Sequence, residues 1–209
     1  MGTRERRERE RQERRDEILR AARKLFQKNG FEGTTMPAIA SAAELAPGTL
    51  YLYFPSKQAL YAELLHEGYD VLERRFREAV AAAATPRAQA AALVDAFLGF
   101  AREAPDAFDI VFFVLREARM GVAELKAGHE AMARLAAREG ACKEIAAEVL
   151  KRARPRLSAE AVSLEVEAVW SMLAGVVLYF QRDEAATFAA VSAHARDLVL
   201  RGLFGTAPP

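Results

Sequence analysis

The sequence predicts an all-α protein of about nine helices. Three observations carry that expectation. Alanine, leucine, glutamate and arginine dominate beyond residue 60, and all four favour helix. Apolar residues recur at the three- and four-residue spacing of amphipathic helices along most of the chain. No Val, Ile or Thr run of period two is bounded by turn residues, as a half-buried strand would require.

The elements follow in order. Residues 3–15, TRERRERERQERR, form a mixed-charge run in which Glu5/Arg9 and Glu10/Arg14 stand four apart. That spacing supports a helical extension; the other reading is a frayed, solvated tail. Ile18, Leu19, Ala22, Leu25 and Phe26 mark the first amphipathic helix, and Asn29-Gly30 closes it with a left-handed glycine. Thr34 or Thr35 caps a short second helix carrying Ile39, Ala40 and Ala43 on one face. Ala43-Glu44-Leu45 is a turn, and a third short helix runs from Pro47 to Phe54, proline suiting a first helical turn. Ser56 caps a long helix to about Ala84, with Leu60, Leu64, Leu65, Leu72, Phe76 and Val80 as its apolar stripe.

Thr85-Pro86 opens the next helix, which carries Leu93, Val94, Phe97, Leu98 and Phe100 and breaks at Ala104-Pro105. Residues 107–120 form a further helix rich in bulky apolar side chains, bounded by Gly121. A long alanine-rich helix then runs to about Arg154, with Gly140 inside it and Pro155 ending it. Ser158 caps a helix through Phe180, and a last helix runs from about Asp183 to Leu203.

Composition bounds the classes. The chain is 52% hydrophobic and 28% charged, ordinary for a globular protein, with net charge +1. The charge is uneven: residues 1–57 hold 12 Lys/Arg against 8 Asp/Glu, and residues 58–209 hold 18 against 21. A basic end on a neutral-to-acidic body suits a polyanion at the N-terminus. One cysteine, Cys142, precludes an intrachain disulfide and fits a reducing compartment. The N-terminus has no apolar signal core, and the longest mainly apolar run, Ala168–Phe180, is shorter than a membrane span. A cytoplasmic protein without a membrane partner is expected.

The stretch Thr34–Lys57, TTMPAIASAAELAPGTLYLYFPSK, is two short helices joined by a three-residue turn. That is the helix-turn-helix, whose second helix enters the major groove of DNA. From Ile18 to Leu60 the sequence resembles the DNA-binding domain of the tetracycline-repressor family of bacterial transcription regulators. The remainder is similar to that family only in length and helical character.

The resemblance implies an N-terminal three-helix DNA-binding domain at 14–60, with the motif at 35–54. It also implies a charged arm at 1–13 and a larger helical regulatory and dimerisation domain at 61–209. By resemblance Pro47, Gly48, Thr49 and Tyr51 meet the major groove, with Tyr53 beside them. Lys57 and Thr35 are placed for phosphates. The arm would touch phosphates or a minor groove. Glu44 stands where the family usually has glycine, and Ala46 where a Ser or Thr cap is common; both alter local geometry without removing the motif. The helix carries no Arg, Asn or Gln, so bidentate reading of guanine or adenine is poorly supported.

Helix-turn-helix heads gain affinity by pairing across two half-sites. The last two helices are the expected homodimer interface, through Val166, Trp170, Leu173, Val177, Phe188, Val191 and Leu198. In the family the middle helices enclose a small-molecule pocket. Its counterpart here is expected from Phe97, Phe100, Phe108, Phe112, Phe113, Arg116, Met132 and Trp170, which suit an apolar or aromatic effector. The same stripes also read as plain core. The expected function is a ligand-responsive regulator, most simply a repressor, that binds a roughly palindromic operator and is released by its effector. A helical protein-interaction or hydrophobic-ligand carrier module without DNA binding is the alternative. No catalytic motif is present: His66, His129 and His194 have no metal spacing, and there is no phosphate loop or nucleophile turn. No cofactor or metal is expected.

Overall fold

The computed structural model describes residues 3–105, 108, 129–180 and 184–205, with the side chains of Thr3 and of residues 129–135 left undescribed. Eight helices and no strand occur among them. They are α1 (Thr3–Asn29), α2 (Met36–Ala42), α3 (Pro47–Tyr53), α4 (Lys57–Ala82), α5 (Pro86–Glu103), α6 (His129–Ala153), α7 (Ala159–Phe180) and α8 (Ala185–Phe204). The helix expected at 107–120 lies outside the described residues.

The helix starts follow from their caps. The hydroxyls of Thr35, Ser56, Thr85 and Ser158 accept hydrogen bonds from the backbone N–H three residues on, at 3.3, 3.0, 3.2 and 3.1 Å. Each satisfies a donor that the helix's first turn leaves without a partner. Helix α1 extends to Thr3, so the charged run is helical, with Arg6 and Glu10 paired at 3.5 Å and Arg14 and Glu17 at 2.7 Å. Gly30 closes α1 at φ +69, and a Cβ at Gly33 would collide with the Asn29 carbonyl oxygen.

The described residues divide into two compact units. The first holds residues 3–67 and the opening of α6, 129–135. Its core is Ile18, Leu19, Ala22, Phe26, Ile39, Leu50, Phe54, Leu60 and Leu64, all buried. Phe26, Phe31 and Tyr61 pack ring against ring at 4.8–5.8 Å. Ion pairs tie α1 to α4: Arg15 to Glu63 at 2.8 Å and Arg23 to Glu67 at 2.7 Å. Burial raises the Glu67 carboxyl above its usual range, with the neighbouring Arg23 opposing that shift.

The second unit holds residues 68–105, 108, 136–180 and 184–205. Helix α7 packs on α8, and α5 packs on both. Phe97 is the hub, edge-on to Trp170 at 5.1 Å and to Phe108 at 5.7 Å. Around Lys143 a half-buried polar cluster joins α6 and α7: its ammonium meets Glu139 at 2.5 Å and Glu167 at 2.8 Å. Cys142 lies beside this cluster, and burial pushes its thiol up to about 12. Helix α7 is long and apolar enough to cross a membrane by length and composition, unlike the shorter run read from the sequence. In this unit Val162, Val166, Trp170, Leu173 and Val177 form its buried stripe.

Candidate nucleic-acid interface and effector cavity

The turn between α2 and α3 is built by the backbone. Ala43 N–H donates to Ile39 O at 2.9 Å, Glu44 N–H to Ser41 O at 3.1 Å and Leu45 N–H to Ala40 O at 2.8 Å. Glu44 adopts φ +56, so at this position, where glycine is usual, the chain keeps the turn and takes the left-handed region at some cost. It is the single non-glycine residue with positive φ among those described. Ala46 gives α3 no side-chain cap, as its missing hydroxyl dictates.

Leu50, fully buried, and the C-cap residue Phe54 anchor α3 to the head. The opposite face is open. Pro47, Gly48 and Tyr51 are exposed, and Thr49 and Tyr53 are half-buried. A Cβ at Gly48 would meet nothing within 4 Å, so the chain's own packing does not require glycine there. The face also holds a large apolar residue that the sequence reading passed over: Leu52, at 78% exposure, one turn beyond Gly48. Its signal was available, since it lies opposite Leu50 and Phe54 on a helical projection. The face is small and apolar at its centre, with two tyrosines and a threonine around it.

The phosphate candidates have defined partners. The Thr35 hydroxyl accepts from Ala38 N–H, which leaves its proton free to donate outward. Thr34 is buried and serves the fold: its hydroxyl donates to Gly30 O at 2.7 Å, with Leu25 O at 3.1 Å. Lys57 is half-buried, its ammonium donating to Phe31 O at 2.7 Å and lying 4.2 Å from the Phe31 ring centroid. A lysine has three donors, so this bond leaves capacity for a phosphate while tying Lys57 to head structure.

Of the residues expected at the effector pocket, Phe97 and Trp170 line a cavity of about 70 Å³ in the second unit. Phe76, Leu93, Val94 and Leu173 complete its main walls. Phe100 and Phe108 are buried in the aromatic cluster behind it rather than lining it. Phe112, Phe113 and Arg116 lie outside the described residues, as does the side chain of Met132. Glu165, the one charged liner among the described residues, is held by Arg154 at 2.8 and 2.9 Å. The cavity therefore offers apolar walls and a carboxylate that is already paired.

The expected dimer residues mostly point inward. Val166, Trp170, Leu173, Val177 and Phe188 are buried in their own chain, Val191 is half-buried and Leu198 is exposed. The reason is that α7 is apolar nearly all round, and its more regular stripe is spent on α5 and α8. The face left open holds Leu164, Ala168, Ser171, Met172, Gly175, Leu178 and Tyr179, with no charge among them. Leu164 and Tyr179 are 64% and 77% exposed, too much for side chains of that size to be core.

Residues 18–64 match the family described as bacterial regulatory proteins, tetR family. Over 66 residues the chain is 41% identical to the HTH-type transcriptional regulator UidR of Escherichia coli strain K12, covering 32% of this chain and 34% of that protein. The chain thus matches about a third of the length of such relatives. Similarity in fold extends further. The TetR family transcriptional regulator PfmR from Thermus thermophilus superposes with a TM-score of 0.72 at 24% identity, over 88% of this chain and 97% of that one. AibR, solved with isovaleryl coenzyme A and operator DNA, gives 0.72 at 21% identity, over 93% and 100%. The described residues thus share the fold of these regulators.

Proposed function

Since residues 18–64 place the chain in the tetR family of bacterial regulatory proteins, we propose that it is a homodimeric, operator-binding repressor released by a small acyl or aromatic effector. The observation that carries the reading is the outward face of α3. Gly48, Tyr51 and Leu52 are exposed there, and the packing around Gly48 does not require glycine. Small groups let the helix approach base edges, and Leu52, Pro47 and Gly48 suit thymine methyls better than purine edges. The hydroxyls of Thr35, Tyr51 and Tyr53, with Lys57, supply phosphate donors.

The largely apolar face of α7, which begins at Glu160, and the flank of α8 at Leu198 and Gly202 form the dimer surface in this reading. A Cβ at Gly175 or Gly202 would meet nothing within 4 Å among the described residues, which leaves both backbones open to close approach by a second copy. Two heads would then address half-sites about 34–36 Å apart.

The effector reading rests on the cavity walls. At about 70 Å³ the space is far below the ~300 Å³ at which ordinary ligand sites begin. An effector larger than a short chain must therefore move Phe76 or Trp170, whose rings meet edge-on at 6.4 Å. Phe76 lies on α4, the helix that begins at Lys57 beside the reading head. The acyl-CoA partner named for AibR makes thioesters the first class to try.

The test is selection of duplex fragments by the purified protein, followed by titration of the retained sequence. Salt-sensitive, saturable binding at two protomers per duplex is expected, with loss on adding an acyl-CoA that also raises Tm. A protein that retains no duplex at 50 mM salt would be the carrier module instead.

A further inference from the structure

The charged run becomes one-sided once it is helical. Helix α1 is continuous from Thr3, and at 3.6 residues per turn Arg4, Arg7, Arg11, Arg14 and Arg15 fall within an arc of about 100°. That arc is the same one that carries Ile18, Ala22 and Leu25 further along. Of the acidic residues between 5 and 17, only Glu8 borders it. Glu5, Glu10, Glu13, Asp16 and Glu17 lie around the rest of the helix, together with Arg6 and Arg9. The face that is apolar inside the head thus continues outward as arginine.

Two further observations give this ridge a place and a state. Its inner end touches the reading helix: the Arg15 guanidinium lies 5.1 Å from the ring centroid of Phe54, the C-cap residue of α3. Arg4, Arg7 and Arg11 are exposed, and among the described residues no ion pair holds them. By contrast Arg6 is paired with Glu10 on the acidic side. Three solvated guanidinium groups on one line, starting beside the recognition helix, form a concentrated cationic edge on a chain of net charge +1.

We infer that this ridge binds the phosphates of duplex DNA alongside the groove entered by α3, deepening the operator-binding reading on which it rests. The charge complementarity commits the partner. From Arg4 to Arg15 the ridge is about 16 Å long at 1.5 Å per residue. Duplex DNA presents about ten phosphate charges over that length of axis. Guanidinium groups match phosphate oxygens with paired N–H donors. The ridge adds affinity without reading bases, since phosphate contacts position and do not specify. On the far side Glu10 pairs with Arg6 at i,i+4, and at the inner end Arg14 and Arg15 are held by Glu17 and Glu63, so the uncompensated part of the face is Arg4, Arg7 and Arg11.

The experiment compares arginines of equal charge on different faces. Arg4→Gln/Arg7→Gln/Arg11→Gln and Arg6→Gln/Arg9→Gln are made in the full-length protein. Glutamine keeps helix propensity near that of arginine, and circular dichroism checks it. Binding to a mixed-sequence 40-bp duplex is followed by fluorescence anisotropy from 50 to 200 mM salt. Loss of three phosphate contacts should flatten the log–log salt slope by about 2.7, so the triple variant loses about 40-fold less affinity across that range than the parent. The Arg6/Arg9 variant should keep the parental slope. Equal loss per arginine in both variants, or no loss in either, overturns the ridge while leaving the reading head intact. If the parent itself shows no salt-sensitive duplex binding, the operator-binding reading fails and the ridge fails with it.

Discussion

Gly48→Ala separates what the fold needs from what a partner needs. The added methyl would meet no atom within 4 Å, and Gly48 sits within α3 without a positive φ. Alanine should therefore stabilise the head, by up to about 1 kcal/mol through helix propensity. In a chain of this size that is a rise in Tm of about 2–4 °C. The same methyl stands on the exposed face beside Leu52, where base edges would lie within contact distance. Losing one good base contact costs about 1–3 kcal/mol, so operator affinity should fall by about 5- to 150-fold. Calorimetric melting and anisotropy with a selected duplex read the two effects from one preparation. Higher stability with unchanged affinity would remove this face from the interface. Lower stability would mean that the backbone around Gly48 is not as described.

Glu44→Gly relieves the left-handed backbone of the turn and should stabilise the protein by about 1 kcal/mol, seen as a higher urea midpoint with unchanged slope. Tyr179→Glu puts a charge on the open face of α7 and should shift the protein towards its 23.0 kDa monomer in sedimentation velocity, with weaker binding to palindromic duplex. A dimer that tolerates this change places the interface elsewhere. Glu67 carries a pH signature. Its folded pKa is raised, so protonation favours the folded state, and stability linked to this group increases as pH falls through that pKa towards 4.5. Urea melts at pH 7 and pH 5 should therefore show the parent gaining on Glu67→Gln at the lower pH. The opposite sign would mean that the Arg23 pair outweighs burial.

What the sequence made legible was mostly local. The caps at Ser56 and Ser158 and the closing glycine at 30 depend on residues a few positions apart and are where they were expected; of the two threonines read as cap candidates Thr35 is the cap, the helix opened by Thr85-Pro86 is capped by Thr85, and Glu44 keeps the turn by taking positive φ. What it hid depends on partners distant in sequence. Lys57 reads as a free phosphate ligand until Phe31, 26 residues away, is seen to accept from its ammonium. Helix α7 has apolar residues on both faces, so periodicity finds a stripe without saying which partner covers it. Val166 and Leu173 meet the chain's own core, and Leu164 and Tyr179 are left for another surface. Leu52 was passed over for a different reason: a large apolar side chain is assigned to core by default, although its place opposite Leu50 and Phe54 points it outward, as its 78% exposure bears out.

The same distinction separates the outer face of α3 from the walls of the cavity. The reading face of α3 is small and open, while its anchors Leu50 and Phe54 are almost wholly buried, so the face can be altered without loosening the head. Around the cavity the situation is reversed. Phe76, Phe97 and Trp170 are all buried, with Trp170 in ring contact with both phenylalanines, so no ligand of ordinary size can enter without rearranging them. Close-packed cores switch between discrete arrangements more readily than they stretch. A ligand that needs the rearranged core must then shift the population of states, by no more than its own difference in affinity between them. Helix α4 carries Phe76 and Lys57 on one continuous element. A coupling of about 1–3 kcal/mol, usual between linked sites, would change operator affinity by about 5- to 150-fold. The DNA complex must then bind the effector more weakly by that same factor, because the linkage is reciprocal.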